Sequence, residues 1–287
     1  MSVVADFRVP APRAVSALLR QAVANLLRWA WSMVSFRRIR SDQRWPLTTR
    51  PALLLLMGGG AVTLIALTMF VLDGRVIAAQ RTLAPWLVST FEHITDAGQS
   101  GWVLTPLFIA VVAAALISSP AIGRVGQLVA AAVVARLGYV FMAVAVPGVV
   151  VTIVKRIIGR ARPYLFEQGG PLRFHPFGWD PIYASLPSGH TTTAFATAFA
   201  VAALYPRLRW PVWGLACVIG VSRIVVSAHY PSDVLAAALV GTLGAMVVRN
   251  WFAVRRLAFH VTADRRVEAL PGPSVARVVK LVRRAFA

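Results

Sequence analysis

Cysteine is almost absent from this 287-residue chain: Cys217, inside an apolar run, is the only one. That excludes a disulfide framework and a cysteine metal site. Acidic residues are scarce, ten Asp and Glu against thirty Lys and Arg, for a formal net charge of +20. Charged residues of both signs make up only 14% of the chain, where a soluble domain carries about 25%. Among the cations lysine is nearly missing, with Lys155 and Lys280 the two examples, a bias that reads as genome composition before function. No internal repeat or low-complexity segment stands out. No early apolar core is followed by a small-residue cleavage site, so no signal peptide is expected.

Apolar residues, by contrast, are 58% of the chain, and its mean hydropathy is +0.69. These values exclude an ordinary soluble domain and intrinsic disorder alike. A chain both very apolar and very basic must segregate the two properties, and membrane spans with basic flanks do so. Nucleic-acid binding, the other reading of a sequence pI near 11.8, fits poorly. The charges gather at the two ends, and the middle resembles lipid.

Six stretches approach the ~20 residues that a bilayer crossing requires: 51–72, 102–119, 128–154, 191–205, 211–228 and 233–253. The expected fold is therefore all-α, an integral membrane bundle of six transmembrane helices with basic amphipathic termini. The expected organisation is a basic N-terminal region (1–50), a six-span domain (51–253) and a basic tail (254–287). With the N-terminus in the cytoplasm, twenty-one Lys and Arg flank the inner side and eight the outer. That asymmetry places both termini inside. Arg136 falls within the third stretch and is expected to snorkel to its cytoplasmic end.

Residues 12–34 have the pattern of an amphipathic helix. Arg13, Arg20, Gln21, Asn25 and Arg28 share one side, and Leu19, Ala22, Val23, Leu26 and Ala30 the other. It either lies on an anionic membrane surface or is a solvated helix packed on the protein. The tail at 273–287 is either a second surface helix or disordered. Two long external loops are expected, 73–101 and 164–186, both rich in aromatics suited to interface anchoring. The second, with Tyr164, Phe166, Phe174, Phe177, Trp179 and Tyr183, is the place to look for substrate selectivity.

The remaining ionisable residues form three clusters at the external ends of spans three to six. In the first, Lys155 and Arg162 stand seven apart, two helical turns, and share a face. Pro163 ends that segment. Two cations on one face suit an anion with several oxygens. In the second, Pro187-Ser188-Gly189-His190 is a tight turn opening a helix, whose unpaired backbone N–H groups make an anion site. In the third, Ser222-Arg223 is followed after five residues by His229 and after three more by Asp233. Arg223 lies inside an apolar helix, which marks function. Asp233 is within reach of His229 and suited to fix its tautomer, leaving the other ring nitrogen for chemistry. Three or four cations, a helix N-terminus and two histidines together describe a phosphate site. No carboxylate or Cys/His set offers itself to a metal, so none is expected.

Lys155-x6-Arg162-Pro163, Pro187-Ser188-Gly189-His190 and Ser222-Arg223-x5-His229-x3-Asp233 match all three parts of the signature of the type 2 phosphatidic acid phosphatase superfamily, in the right order. By motif the resemblance covers 155–233, and by span layout roughly 51–253. It implies a phosphatase acting on lipid phosphates without metal or other cofactor. It gives His229 the role of nucleophile, Asp233 of its orienter and His190 of acid and then base. Lys155, Arg162, Ser188, Gly189 and Arg223 would bind the phosphoryl group. Arg156 and Arg160 are outside the signature and receive no role. Soluble vanadium haloperoxidases share the superfamily, but the spans argue against that branch. The implied substrate is a membrane lipid phosphate or diphosphate: undecaprenyl diphosphate, phosphatidylglycerophosphate, phosphatidate or a lipid A phosphate. The implied place is the inner membrane, with the site on its outer side. A lipid phosphotransferase and a non-catalytic lipid-binding membrane protein are the alternatives. Oligomeric state is not legible.

Overall fold

The structure, a computed structural model, describes residues 12–35, 45, 51–118 and 122–285. Most of the basic residues expected before the first span, at 1–11 and 36–50, lie outside the described residues, as do 286–287. The helices are α1 (Pro12–Val34), α2 (Pro51–Leu67), α3 (Asp73–Gln80), α4 (Pro85–Asp96), α5 (Ser100–Ile117), α6 (Gly123–Ile158), α7 (Gly189–Leu204), α8 (Arg209–Val225), α9 (Pro231–Ala253) and α10 (Val275–Ala285). One antiparallel hairpin, β1 (Phe259–Val261) with β2 (Val267–Ala269), precedes α10.

Among the described residues, five stretches are long and apolar enough to cross a bilayer: Ala52–Gln80, Pro85–Ile117, Gly123–Ile158, Pro206–Val225 and Pro231–Ala253. The protein is thus a multi-pass, helical membrane protein. Helix α7, at 16 residues, falls short of that length. Its surroundings explain this: Ala196, Ala198 and Ala200 are buried to within 1%, and α6, α8 and α9 pack around it. A helix enclosed by protein need not match the thickness of lipid. The lipid-facing helices show the opposite pattern, with Leu55, Leu56, Phe70 and Phe108 all exposed.

Small residues let the inner helices approach closely. A Cβ on Gly241 of α9 would stand 2.6 Å from the Thr192 carbonyl oxygen of α7, and one on Gly244 would stand 2.7 Å from Pro147 of α6. These contacts hold α6, α7 and α9 together and fix the spacing of their site-bearing ends.

The expected loop at 73–101 is largely helical. A π-helical turn, Thr68–Leu72, joins α2 to α3 so that the first span runs on to Gln80, and α4 starts at Pro85 in the first turn. Hydropathy hid this, because Asp73, Arg75 and Gln80 interrupt the apolar run; yet Asp73 is completely buried.

Helices α1 and α10 and the hairpin gather at the end of the bundle opposite His190 and His229. Asn25 of α1 donates to the Ala115 and Ser118 carbonyls at the end of α5, at 2.9 and 2.8 Å, while Leu27 and Trp31 on α1 stay 65% exposed. Residues 259–285 carry the hairpin and α10, which pack on the bundle. Phe259 of β1 stacks edge-on against Tyr139, which also meets Phe252. Arg136 donates to the Leu270 carbonyl at 2.7 Å, which anchors the segment after the hairpin. Leu281 of α10 is buried against Ile122, Val129 and Ala130.

Candidate active site

The loop between α8 and α9 carries His229. It folds back so that the His229 and Ala228 amides both donate to the Arg223 carbonyl. Ser227 takes a left-handed conformation, φ 53°, and is held by Gln80: the Ser227 hydroxyl donates to Gln80 Oε1 at 2.6 Å, and Gln80 Nε2 donates to the Val225 carbonyl at 2.7 Å. Helix α9 then opens with Pro231 in its first turn, and Asp233 accepts the Tyr230 amide at 3.0 Å. This capping bond aims the carboxylate back toward the preceding loop. Its Oδ2 stands 3.6 Å from His229 Nδ1. His229 is 2% exposed and Asp233 0%.

Burial pushes the His229 imidazole down to about 4; Asp233 opposes this, and the cations Arg162 and Arg223 reinforce it. The ring is therefore neutral at pH 7. With Asp233 beside Nδ1, the lone pair falls on Nε2.

The cations come from three elements. Arg223, near the end of α8, donates from Nη1 to Thr95 Oγ1 of α4 at 2.6 Å. Its Nε is buried with no hydrogen-bond partner among the described residues. A desolvated donor left in this state costs about 1–3 kcal/mol, which an anion would recover. Arg162 follows α6 in extended backbone and is held by the Pro181 carbonyl at 3.2 Å and by the Tyr164 hydroxyl at 3.0 Å. Lys155, in the last turn of α6, brings Nζ to 3.6 Å from where a Gly189 side chain would begin. It shares its electrostatic surroundings with Arg162, Arg223 and Asp233. Ser188 caps α7, accepting from the Thr191 amide at 3.5 Å, and its own amide donates to the Asp233 carbonyl at 3.3 Å. This hydrogen bond ties the α7 N-terminus to the start of α9. His190 follows in the first turn of α7, and Gly98 fits tightly beside it: a Cβ there would lie 3.0 Å from His190 Cβ. All eight residues singled out by the motifs thus belong to one end of the bundle.

Four further residues join them. Ser185 donates to Asp233 Oδ2 at 2.6 Å and stands 3.4 Å from His229 Nδ1. Thr95 holds Arg223. Arg160, given no role by the sequence, is completely buried and donates to Asp233 Oδ1 at 2.6 Å and to Asp73 Oδ2 at 2.7 Å. For Arg160 and Asp73 the sequence does carry a signal, an ionisable group at the edge of an apolar stretch. For Ser185 and Thr95 it carries none. Arg156 turns the other way, toward the exposed Trp179.

A buried neutral imidazole backed by a carboxylate, facing several cations and a helix N-terminus, defines a protein that handles phosphoryl groups in or at a membrane. Among the described residues, no three His, Cys, Asp or Glu side chains converge as a metal-binding group. The family model described as the PAP2 superfamily matches residues 136–257. The lipid A 1-phosphatase of Rhizobium etli is 32% identical over 206 residues, 71% of this chain and 87% of that protein. The chain belongs to the PAP2 superfamily. The undecaprenyl-diphosphatase BcrC of Bacillus subtilis is 40% identical over 60 residues, 21% of this chain and 31% of that one. The crystal structure of Aquifex aeolicus LpxE aligns at 23% identity with a TM-score of 0.43, over 60% of this chain and 91% of that one.

Proposed function

We propose that this PAP2-superfamily lipid phosphatase cleaves its substrate without metal, through a phosphohistidine on His229. The observation that carries this reading is the buried His229–Asp233 pair beside Arg223, whose Nε has no hydrogen-bond partner among the described residues. In the first step His229 Nε2 forms a bond to phosphorus. The bond from phosphorus to the lipid oxygen (or the bridging oxygen of a diphosphate) breaks, and that oxygen takes a proton from His190. Asp233 balances the positive charge that develops on the ring. In the second step water gives a proton to His190 and attacks phosphorus, and the phosphorus–nitrogen bond breaks to free phosphate and His229. Lys155, Arg162, Arg223, Ser188 and the Gly189 amide hold the phosphoryl oxygens, where charge stabilisation supplies most of the catalysis.

The substrate is a lipid with a phosphate or diphosphate head. A groove of about 660 Å³ runs from Gly189 and His190 past Gly98 and Gly101, between α5 and α6, to Gly148 and Val144. It suits a hydrocarbon tail leading away from a head held beside His190. The relation to lipid A 1-phosphatase over most of both chains puts a lipid A phosphate first among candidates, ahead of undecaprenyl diphosphate, phosphatidylglycerophosphate and phosphatidate. The positive-inside pattern supports six spans, α7 included, in the inner membrane, with both termini cytoplasmic and the site on the outer side. The exposed apolar residues of α1 and the basic ends support contact with an anionic lipid surface.

The test is phosphate release by the detergent-purified protein from a panel of these lipids in EDTA, beside His229→Ala. Release by the wild type, with loss of both release and phosphoenzyme in His229→Ala, is the expected result. Near-normal turnover in the variant overturns the role of His229, and transfer to an added acceptor lipid without free phosphate would identify a phosphotransferase.

A further inference from the structure

Beneath His229 and Asp233 lies a second charged layer that phosphate binding does not use. Asp73, Arg160 and Asp233 are each 0% exposed. Arg160 spans the two carboxylates, from Nη1 to Asp233 Oδ1 at 2.6 Å and from Nη2 to Asp73 Oδ2 at 2.7 Å. Ser232 closes the ring: its hydroxyl accepts from Arg160 at 2.7 Å and donates to Asp73 at 2.5 Å, and its amide donates to Asp73 Oδ1 at 3.0 Å. Arg160 also gives Nε and Nη2 to the Pro171 carbonyl, and its guanidinium lies over the Tyr230 ring at 4.3 Å.

Two backbone features serve this layer. The π-helical turn Thr68–Leu72 ends at Asp73, whose amide donates to the Thr68 carbonyl. Such turns are frequent at functional sites, and this one delivers a carboxylate to the interior from the largely lipid-facing first span. Gly159 ends α6 with φ 63°, and a Cβ there would lie 1.9 Å from the His175 carbonyl oxygen. Only glycine fits, and the turn it makes sends Arg160 inward.

We propose that Asp73 and Arg160 are positioning residues for catalysis: they hold Asp233 by Oδ1, so that Oδ2 stays facing His229 Nδ1, 3.6 Å away, and the lone pair stays on Nε2. The inference rests on the reading of His229 as nucleophile. The carboxylate has two oxygens with separate duties. Ser185 and the Tyr230 amide bind Oδ2, the oxygen that faces the ring. Arg160 binds the other. Without Arg160 the carboxylate loses its counter-charge in a dry setting and is free to turn. Without Asp73, Arg160 loses the acceptor that holds the far end of its fork. Neither residue belongs to the phosphate-binding set, so both act on His229 through Asp233.

Removal of Arg160 outright leaves two buried carboxylates uncompensated and threatens folding. The test therefore uses Asp73→Asn and Arg160→Lys, beside Asp233→Asn. With the lipid phosphate that the wild type cleaves best, each of the first two is expected to lower kcat on the order of ten- to a hundredfold, as loss of an orienting partner does. Inhibition by inorganic phosphate should stay within about twofold, because Lys155, Arg162 and Arg223 are intact. In the Asp233→Asn protein, adding Asp73→Asn should cost little more. The second readout needs no substrate. With histidine labelled by nitrogen-15, and the His229 signals assigned from their loss in His229→Ala, the wild-type ring should show one tautomer and the Asp73→Asn and Arg160→Lys rings a mixture. Wild-type kcat and a wild-type ring spectrum in both variants overturn the proposal, as do losses that multiply fully with Asp233→Asn. If the wild type releases no phosphate from any lipid, the reading of His229 fails, while the ring spectrum still decides whether Asp73 and Arg160 set its tautomer.

Discussion

At the scale of single residues, the site is a set of polar groups held against their preference for water, and pH should expose that tension. Unfolded, His229 takes its proton near pH 6.5; folded, burial delays this to about 4. Between those values the unfolded chain holds the extra proton, so stability falls as pH drops through 6.5, and the loss is complete near pH 4. At 1.36 kcal/mol per unit the effect is on the order of 3 kcal/mol. Thermal midpoints in detergent at pH 7 and pH 5 should differ less in His229→Gln than in the wild type. Arg223 supports a second prediction. Its Nη1 is committed to Thr95 while its Nε is buried with no partner among the described residues, so one side chain braces α4 and presents a donor at once. An ammonium cannot do both. Arg223→Lys should cost about 2 kcal/mol of transition-state stabilisation, roughly thirtyfold in kcat/KM with a lipid phosphate. His229, Asp233 and Arg223 were legible because eleven consecutive residues carry them with fixed spacing. Arg160 and Asp73 show in the sequence only as ionisable groups at the edges of apolar stretches; their pairing, formed across 87 residues of chain, leaves no local pattern.

At the scale of elements, hydropathy marked the helices well where both faces or one broad face are apolar, as in α5 and α6. It failed where a helix carries polar side chains inward. Helices α3 and α4 were read as a loop for that reason: Asp73 and Thr95 look like solvent-facing residues in sequence and are buried in the fold. The end of the bundle depends on how closely α7 and α9 approach, which only small residues permit. A Cβ on Gly241 would meet backbone, the Thr192 carbonyl oxygen at 2.6 Å, and backbone in the middle of a buried helix cannot move aside cheaply. Gly241→Ala should destabilise the protein by about 1–3 kcal/mol. It should also weaken the link from the Ser188 amide to the Asp233 carbonyl by spreading the two helices. A lowered thermal midpoint together with reduced phosphate release would register both effects. An unchanged midpoint would mean that the helices separate more easily than this contact implies.

At the scale of the whole molecule, the two ends of the bundle have different chemistry. One end carries the ends of α6 and α8 and the starts of α7 and α9, with the site between them. The other carries α1, the hairpin and α10. Net positive charge at that second end, read with the positive-inside rule, predicts a direction in the membrane, and the two ends can be labelled separately. Cys217 faces outward from α8, so Cys217→Ala gives a cysteine-free background. Trp179→Cys would then report the site end, since Trp179 is 83% exposed in the loop beyond α6. Asp264→Cys would report the other end, in the exposed turn between β1 and β2. A membrane-impermeant maleimide, applied to cells whose outer membrane has been opened, should label position 179 at once and position 264 only after lysis. Labelling in the reverse order would put the site in the cytoplasm and contradict the charge rule. Labelling of both positions before lysis would mean that the two ends share a compartment, which a bundle crossing the bilayer between them does not allow.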